Sequence, residues 1–158
     1  MSILIRNGTV VTSAATTKAD VYIEGEKVHT IGQSLAKNLG LKADRVIDAK
    51  GKFLIPGGID AHTHMDLPFM GTSSSDDFDT GTLAGLHGGT PTIIDFAFQK
   101  QGDSLENGLN IWREKAGGKA VGDYAFHMVV TDFNDSTRKE IAGLVAKGVT
   151  SFKTFMAY

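Results

Sequence analysis

The sequence contains no cysteine, and this absence excludes two kinds of site. No disulfide framework can staple the fold, and no thiolate can bind a metal. A metal ion bound to this chain would need histidine or carboxylate ligands, or a less usual group. Hydrophobic residues make up 41% of the 158 positions and charged residues 22%. This composition is typical of one globular domain with enough apolar material for a core.

An excess of positive charge and long apolar runs are also lacking. The formal net charge is -2, and no cluster of lysine and arginine stands out. We therefore expect neither a nucleic acid nor a membrane surface as a partner. No apolar run approaches the length of a membrane span, and the first residues do not resemble a signal peptide. A cytoplasmic protein is the simplest expectation.

The pattern of the chain changes near residue 56. Residues 1–55 carry short strand patterns separated by glycine turns and hold no clustered polar chemistry. They predict a small antiparallel β-rich side domain, in which Asn7 and Gly8 form a hairpin turn. Residues 56–158 instead alternate strand and helix patterns, which predicts an α/β domain.

The strand and helix patterns of the second part predict a parallel sheet. Apolar runs indicate strands, and amphipathic stripes that begin at capping residues and end at glycines indicate the helices between them. The predicted strands are 59–64, 92–96, 124–130 and 149–155. Such alternation indicates βαβ units. No Gly-x-Gly-x-x-Gly follows the first strand, so a dinucleotide site has no support. An open doubly wound sheet and half of a (β/α)8 barrel both remain possible.

Two histidines separated by one residue end the first predicted strand of this second part. Side chains alternate along a strand, so His62 and His64 should project from the same face, together with Asp60. Two adjacent imidazoles can bind one divalent cation. The alternative is a pair of unrelated polar residues at the start of a loop, and the motif alone does not decide between these possibilities.

Lys153 lies inside the last predicted strand, where a charged side chain is costly to bury. It could be a strand-end lysine that snorkels to solvent. It could also be a neutral, nucleophilic lysine that captures CO₂ as a carbamate able to bridge two metal ions. His62, His64 and Lys153 all lie near carboxyl ends of predicted strands, which is where functional residues of barrels lie. This agreement favours the barrel.

Other polar residues are weaker candidates. His127 lies within a strand pattern and could donate a hydrogen bond to the site or be a satisfied core histidine. Asp66 and Asp95 could add polarity to the site, but structural roles are equally plausible from the sequence. His29 is expected at the surface.

Several motifs together resemble one enzyme family, the cyclic amidohydrolases of the dihydropyrimidinase and D-hydantoinase type. The stretches that carry the resemblance are PGGIDAHTH at 56–64, LPFMGT at 67–72, GGT at 88–90, IIDF at 93–96, DYAFH at 123–127 and SFKTFMAY at 151–158. The likeness runs along the whole chain, and the combination is far more specific than any one motif.

The resemblance implies a β-sandwich-like side domain followed by a TIM-type barrel with two zinc ions. His62 and His64 match ligands of one metal, and Lys153 matches a carboxylated lysine that bridges both metals through its CO₂-derived carbamate. Tyr158 matches a catalytic tyrosine that hydrogen-bonds the substrate carbonyl. Leu67 and Phe155 match loop residues that contact the substrate's 5-substituent.

The implied reaction is hydrolysis of dihydropyrimidines or 5-substituted hydantoins to N-carbamoyl amino acids. A hydroxide between two metals about 3.5–4 Å apart would attack the cyclic amide. A whole barrel needs about 250 residues, whereas residues 56–158 supply four βα units. We therefore expect an N-terminal fragment, inactive by itself, of an enzyme that the resemblance implies to be a homotetramer.

Two alternatives remain. Allantoinase and dihydroorotase share the His-x-His pair and the bridging lysine, although Tyr158 and the LPFM stretch at 67–70 favour dihydropyrimidinase. Dihydropyrimidinase-like scaffold proteins keep the fold for cytoskeletal interactions and have lost the metal ligands. The presence of His62, His64 and Lys153 places that non-catalytic function well below an enzyme.

Overall fold

A computed structural model describes residues 1–156 of the chain. The chain divides into two compact units, Met1–Pro56 and Gly57–Tyr158, and each is described by itself. Tyr158, to which the resemblance assigns a catalytic role, lies outside the described residues. In the part of the chain that the structure describes, no helix has both the length and the apolar character needed to cross a membrane.

The first unit is a mixed β-sheet with one short helix. Its elements are β1 (Ser2–Val11), β2 (Thr16–Glu24), β3 (Lys27–Gly32), α1 (Leu35–Asn38), β4 (Arg45–Asp48) and β5 (Phe53–Leu54). The strand order is β3-β2-β1-β4, and β5 also pairs with β1. The β1–β2 and β2–β3 pairs are antiparallel, whereas β4 and β5 run parallel to β1. The expected β-rich character is confirmed, but a purely antiparallel module is wrong.

The hairpin expected at Asn7 and Gly8 is a β-bulge. β1 continues through both residues, and its pairing with β2 shifts register between Ile5 and Gly8. Asn7 has a φ of 63°, and its N–H donates to Oδ1 of the buried Asp20 at 3.0 Å. The other carboxylate oxygen of Asp20 accepts the N–H of Leu35 at 3.0 Å. A carboxylate distant in sequence thus accepts the N–H of the extra residue, so the strand can continue without a turn.

The second unit contains a parallel sheet whose strands follow chain order. Its elements are β6 (Ile59–Thr63), β7 (Pro68–Phe69), β8 (Thr72–Ser73), α2 (Phe78–His87), β9 (Thr92–Phe98), α3 (Leu105–Ala116), β10 (Asp123–Val129), α4 (Asp135–Ala146) and β11 (Phe152–Lys153). The sheet order is β6-β9-β10-β11, and β7 and β8 form a separate two-stranded sheet. The mixed α/β character predicted for this part is confirmed. β11 is shorter than the predicted strand 149–155.

Local capping explains where the helices begin. Asp77 caps α2 by accepting the N–H groups of Asp79 and Thr80. Ser104 caps α3 by accepting the N–H of Asn107 at 3.0 Å. These contacts satisfy backbone donors that have no partner within the helix. Both helices begin at a capping residue, as the sequence patterns predict.

The helices bury their apolar stripes against one face of this sheet. Helix residues and strand residues form a single core cluster, which consists of Phe78, Ile93, Ala97, Leu105, Leu109, Trp112, Ala116, Phe126, Met128, Val130, Leu144 and Val149. Since strand side chains alternate, Phe96 on β9 and His127 on β10 project from the opposite face. That opposite face is where the candidate functional residues gather.

Two helix-interior glycines offer a matched test of this packing. A Cβ on Gly108 of α3 would lie 2.7 Å from the carbonyl oxygen of Phe98 and 2.9 Å from Cε of Met128. A Cβ on Gly143 of α4 would meet nothing within 4 Å. We expect Gly143→Ala to raise the free energy of unfolding by about 1 kcal/mol, because alanine favours helix. Gly108→Ala should lower it by about 1–3 kcal/mol through overpacking.

Denaturant unfolding of both variants measures this difference. An equal increase in the free energy of unfolding of both variants would show that α3 does not approach β9 as closely as in the structure.

Candidate functional site

The first strand of the parallel sheet carries a bulge just before the histidine pair. Asp60 is paired with Ile93 and Thr63 with Asp95, so a three-residue step on β6 faces a two-residue step on β9. Asp60 therefore shares the face of Ile93, which belongs to the helix-side core. The expectation that Asp60 shares the face of the histidines is wrong, because the bulge interrupts the alternation. Its Oδ1 accepts the backbone N–H of His62 at 3.1 Å.

His62 and His64 lie side by side on the ring of Phe96. The two imidazole centroids are 5.2 Å apart, with their planes at 80°. The Phe96 centroid lies 4.6 Å from that of His62 and 5.0 Å from that of His64, and the His64 ring is stacked on it at 28°. Phe96 thus forms an apolar support for both imidazoles.

Lys153 lies on β11, the strand at the other edge of the sheet from β6, and its side chain reaches the same phenylalanine. Lys153 is paired with Val129 on β10, and its Nζ lies 4.2 Å from the centroid of Phe96 and 5.3 Å from that of Phe155. An ammonium over an aromatic face is attracted by the ring quadrupole. The structure therefore brings both histidines and the lysine together around one aromatic ring.

The environment of His64 favours a neutral imidazole. Burial lowers the pKa of His64, and the positive charges of Lys153 and His62 lower it further. Its Nδ1 is buried and has no hydrogen-bond partner within residues 1–156. A buried polar nitrogen without a partner costs about 1–3 kcal/mol. A neutral imidazole with a free nitrogen is the form that binds metal ions.

His127 is held by hydrogen bonds at both ring nitrogens. Nε2 lies 3.0 Å from the carbonyl oxygen of Ala61, which can only accept, so Nε2 carries the proton. Nδ1 forms a hydrogen bond with Oγ of Ser151, and in a neutral ring it accepts the hydroxyl proton. The ring lies 4.8 Å from that of Phe96. These contacts fit both roles considered for His127, because the ring is satisfied at both nitrogens and Nε2 donates to Ala61, the neighbour of His62.

Asp95 lies fully buried on the helix-facing side of β9. Burial raises the pKa of its carboxyl group, while hydrogen bonds from Met65, Thr63 and Phe96 act in the opposite direction. An aspartate in an otherwise apolar strand can be recognised in the sequence, but its hydrogen-bond partners cannot. The role of Phe96 was not predicted, because a phenylalanine in a strand pattern suggests only core packing.

Leu67 and Phe155 lie in different surroundings. Leu67 packs against the helix-side core, and its N–H donates to Oγ of Ser74 at 2.9 Å. Phe155 lines a surface pocket together with Gln101, Val130 and Thr131. Phe155 is the one of the two that contacts the lysine side chain.

The described residues do not form a complete metal site by themselves. Within residues 1–156, no group of three or more histidine, cysteine, aspartate or glutamate side chains is arranged to hold a metal ion. The donors that do converge are the imidazoles of His62 and His64 and the amine of Lys153. Two imidazoles and a lysine require further ligands to close a site.

Comparison with known proteins gives matches along the whole chain. The chain is 51% identical over 158 residues to the D-hydantoinase of Streptomyces coelicolor, covering 98% of this chain and 33% of that protein. It is 46% identical over 161 residues to the dihydropyrimidinase of Rattus norvegicus, covering 99% of this chain and 30% of that protein. No family model matches. The chain thus spans about a third of the length of the relatives it matches.

Solved structures agree with these sequence matches. The crystal structure of dihydropyrimidinase from Brevibacillus agri has a TM-score of 0.93 and 52% identity, covering 100% of this chain and 34% of that one. The structure of L-hydantoinase from Arthrobacter aurescens has a TM-score of 0.76 at 24% identity, covering 95% of this chain and 32% of that one. This more distant likeness shows the fold alone.

Proposed function

Because this chain is a homologue of the D-hydantoinases and dihydropyrimidinases, we propose that the whole protein opens cyclic amide rings by hydrolysis. The substrates would be dihydropyrimidines or 5-substituted hydantoins. The products would be N-carbamoyl amino acids. The 158 residues alone would be inactive, since the described part supplies only some of the ligands.

The second unit would form part of a (β/α)8 barrel in the whole protein. Two features of the structure support this proposal. The strand order β6-β9-β10-β11 follows the chain without the reversal that marks a doubly wound sheet. The helices pack on one face of the sheet, and the candidate site lies on the other. In a barrel, that other face is the interior, and its strand ends carry the catalytic groups.

The donor set fits a pair of zinc ions that the rest of the protein would help to hold. His62 and His64 would bind through ring nitrogens. The buried Nδ1 of His64, which has no hydrogen-bond partner in residues 1–156, supports this role. Imidazole nitrogens and carboxylate oxygens are common zinc ligands. When bound, the metal ions would supply a hydroxide nucleophile at neutral pH and polarise the amide carbonyl.

Lys153 would contribute to this centre as a carbamate. Its neutral amine adds to the carbon of CO₂, forms an N–C bond and releases a proton, which leaves an anion with two oxygens. Such an anion would add oxygen ligands of the kind that zinc accepts. The position of Nζ over Phe96 supports this role, because the same ring also supports both imidazoles.

The remaining site residues would act on the substrate. Phe96 would keep water from the back of the imidazoles and hold their rings in place. Phe155, beside Lys153, would contact the 5-substituent, and we propose the same for Leu67. Tyr158 would donate a hydrogen bond to the carbonyl oxygen as negative charge develops on it.

One observation carries this proposal beyond the likeness of the sequences. His62 and Lys153 lie on the first and last strands of the sheet, and His64 lies just beyond the first strand. All three nevertheless converge on one face around Phe96. A scaffold protein without catalysis would not need two imidazoles and a lysine in contact with one ring.

Substrate assays on the purified whole protein test the proposed function. We expect turnover of dihydrouracil and of a 5-substituted hydantoin, with the N-carbamoyl amino acid identified by mass spectrometry. Dihydroorotate and allantoin serve as comparison substrates and should give a much lower kcat/KM. Preferred turnover of either comparison substrate, or no metal-dependent hydrolysis of any of them, would refute the assignment.

A further inference from the structure

Two consecutive residues of β9 project from opposite faces of the sheet, and both contact the segment that carries His64. Asp95 lies on the helix-facing side of the sheet and Phe96 on the side of the candidate site. The contacts of Phe96 with the His64 ring are described above. Those of Asp95 concern the backbone on either side of the same histidine.

The Asp95 carboxylate holds the two residues that flank His64. Its Oδ2 accepts the hydroxyl of Thr63 at 2.8 Å and the backbone N–H of Met65 at 2.8 Å. Its Oδ1 accepts the N–H of Phe96 at 2.8 Å. One buried oxygen therefore ties the residue before His64 and the residue after it to the neighbouring strand.

This arrangement anchors the backbone on both sides of His64. β6 ends at Thr63, so His64 and Met65 lie beyond the last backbone pairing of the strand. Without the carboxylate, the backbone at His64 would have no such anchor on its two sides. With it, the backbone is fixed by Asp95 and the ring is fixed by stacking on Phe96.

A fully buried carboxylate is an expensive way to hold a loop. An apolar pair of similar shape would avoid the cost of burying a charged group. Hydrogen bonds donated to a carboxylate are directional and stronger than neutral ones, so they define an orientation rather than only a contact. This favours a role in geometry over a role in stability alone.

We propose that Asp95 is a positioning residue that orients His64 for metal binding through Thr63 and Met65. The proposal rests on the proposed function, in which His64 is a metal ligand. Partners that orient a ligand typically contribute about 10–100-fold to metal affinity. Asp95 should therefore affect the affinity and the ligand geometry of the metal, and not only the stability of the fold.

Variants at two positions separate this role from a structural one. Asp95→Asn keeps the shape but places a donor where one oxygen accepts. Thr63→Val removes the hydroxyl, and Thr63→Ser keeps it as a rescue variant. Thr82→Val is the matched control, because Thr82 is also a buried threonine whose hydroxyl is hydrogen-bonded. That hydroxyl accepts the N–H of Val121 at 3.0 Å, and Thr82 lies on α2, outside the segment that carries the histidines.

The measurements are zinc affinity by competition with a chelator, the visible spectrum of the Co²⁺-substituted whole protein, and thermal unfolding. We expect Asp95→Asn and Thr63→Val to weaken zinc binding by about 10–100-fold and to alter the Co²⁺ spectrum. Thr63→Ser should stay close to the parent. Thr82→Val should lower the melting temperature and leave affinity and spectrum unchanged.

The outcomes distinguish the two proposals. If His64→Ala retains zinc with unchanged affinity, the proposed function and the role of Asp95 are both overturned. If His64→Ala loses zinc while Thr63→Val keeps the parent affinity and Co²⁺ spectrum, only the role of Asp95 is overturned. Should Asp95→Asn fail to fold, the contrast between Thr63→Val, Thr63→Ser and Thr82→Val still decides the question.

Discussion

His64→Ala is expected to remove bound metal from the whole protein and to lower kcat/KM by more than about 100-fold, the upper range for loss of a residue that merely supports a ligand. The physical reason is the state of the imidazole. Burial and the charges of Lys153 and His62 lower the pKa of His64, and its Nδ1 has no hydrogen-bond partner within the described residues. A free, neutral nitrogen in the site is lost with the side chain.

His29→Ala is the matched control for this prediction. His29 lies in the first unit with 59% of its side chain exposed, where it is near Glu24. Its removal should leave metal content and kcat/KM unchanged. Metal analysis by mass spectrometry and steady-state kinetics of both variants provide the measurement. A His64→Ala protein with full metal content and full turnover would contradict the role assigned to this histidine.

Lys153→Ala is expected to lower kcat/KM by a similar factor, more than about 100-fold, because a bridging anion would be lost. Lys153→Arg makes the test sharper. Arginine keeps the positive charge and can stack on Phe96, but its guanidinium stays protonated and does not add to CO₂. We therefore expect Lys153→Arg to be as impaired as Lys153→Ala, and a small carboxylic acid to restore part of the activity of the alanine variant.

Intact-mass measurement under native conditions gives a readout that does not depend on turnover. The metal-loaded whole protein should carry the added mass of one CO₂, and Lys153→Ala should lack it. Lys147→Ala serves as the control, since Lys147 is a surface lysine paired with Glu106. An active Lys153→Arg enzyme, or a metal-loaded parent without the CO₂ mass, would refute the carbamate.

The elements of the second unit follow from local sequence signals. Asp77 and Ser104 each satisfy backbone donors within a few residues, so the starts of α2 and α3 are local decisions. The apolar run 92–96 predicts a strand buried on both faces of a parallel sheet, and β9 forms there. These signals are predictable because the groups involved are neighbours in the chain.

The wrong predictions concern places where a residue distant in sequence overrides the local backbone preference. Asn7 and Gly8 have the composition of a tight turn, yet Asp20 takes the extra N–H and β1 continues as a bulge. The direction of β4 and β5 relative to β1 likewise depends on tertiary pairing. The pattern of one strand cannot show what its partner will supply.

The sequence by itself determined the α/β character, the two-part organisation and the likeness to cyclic amidohydrolases, because these depend on local periodicity and on motifs read along the chain. It also drew attention to His62, His64 and Lys153. Only the tertiary structure decided that these side chains meet on Phe96 and that Asp95 anchors the backbone on both sides of His64. Strand register and a bulge in β6 bring together residues far apart in sequence, and neither is visible in local composition.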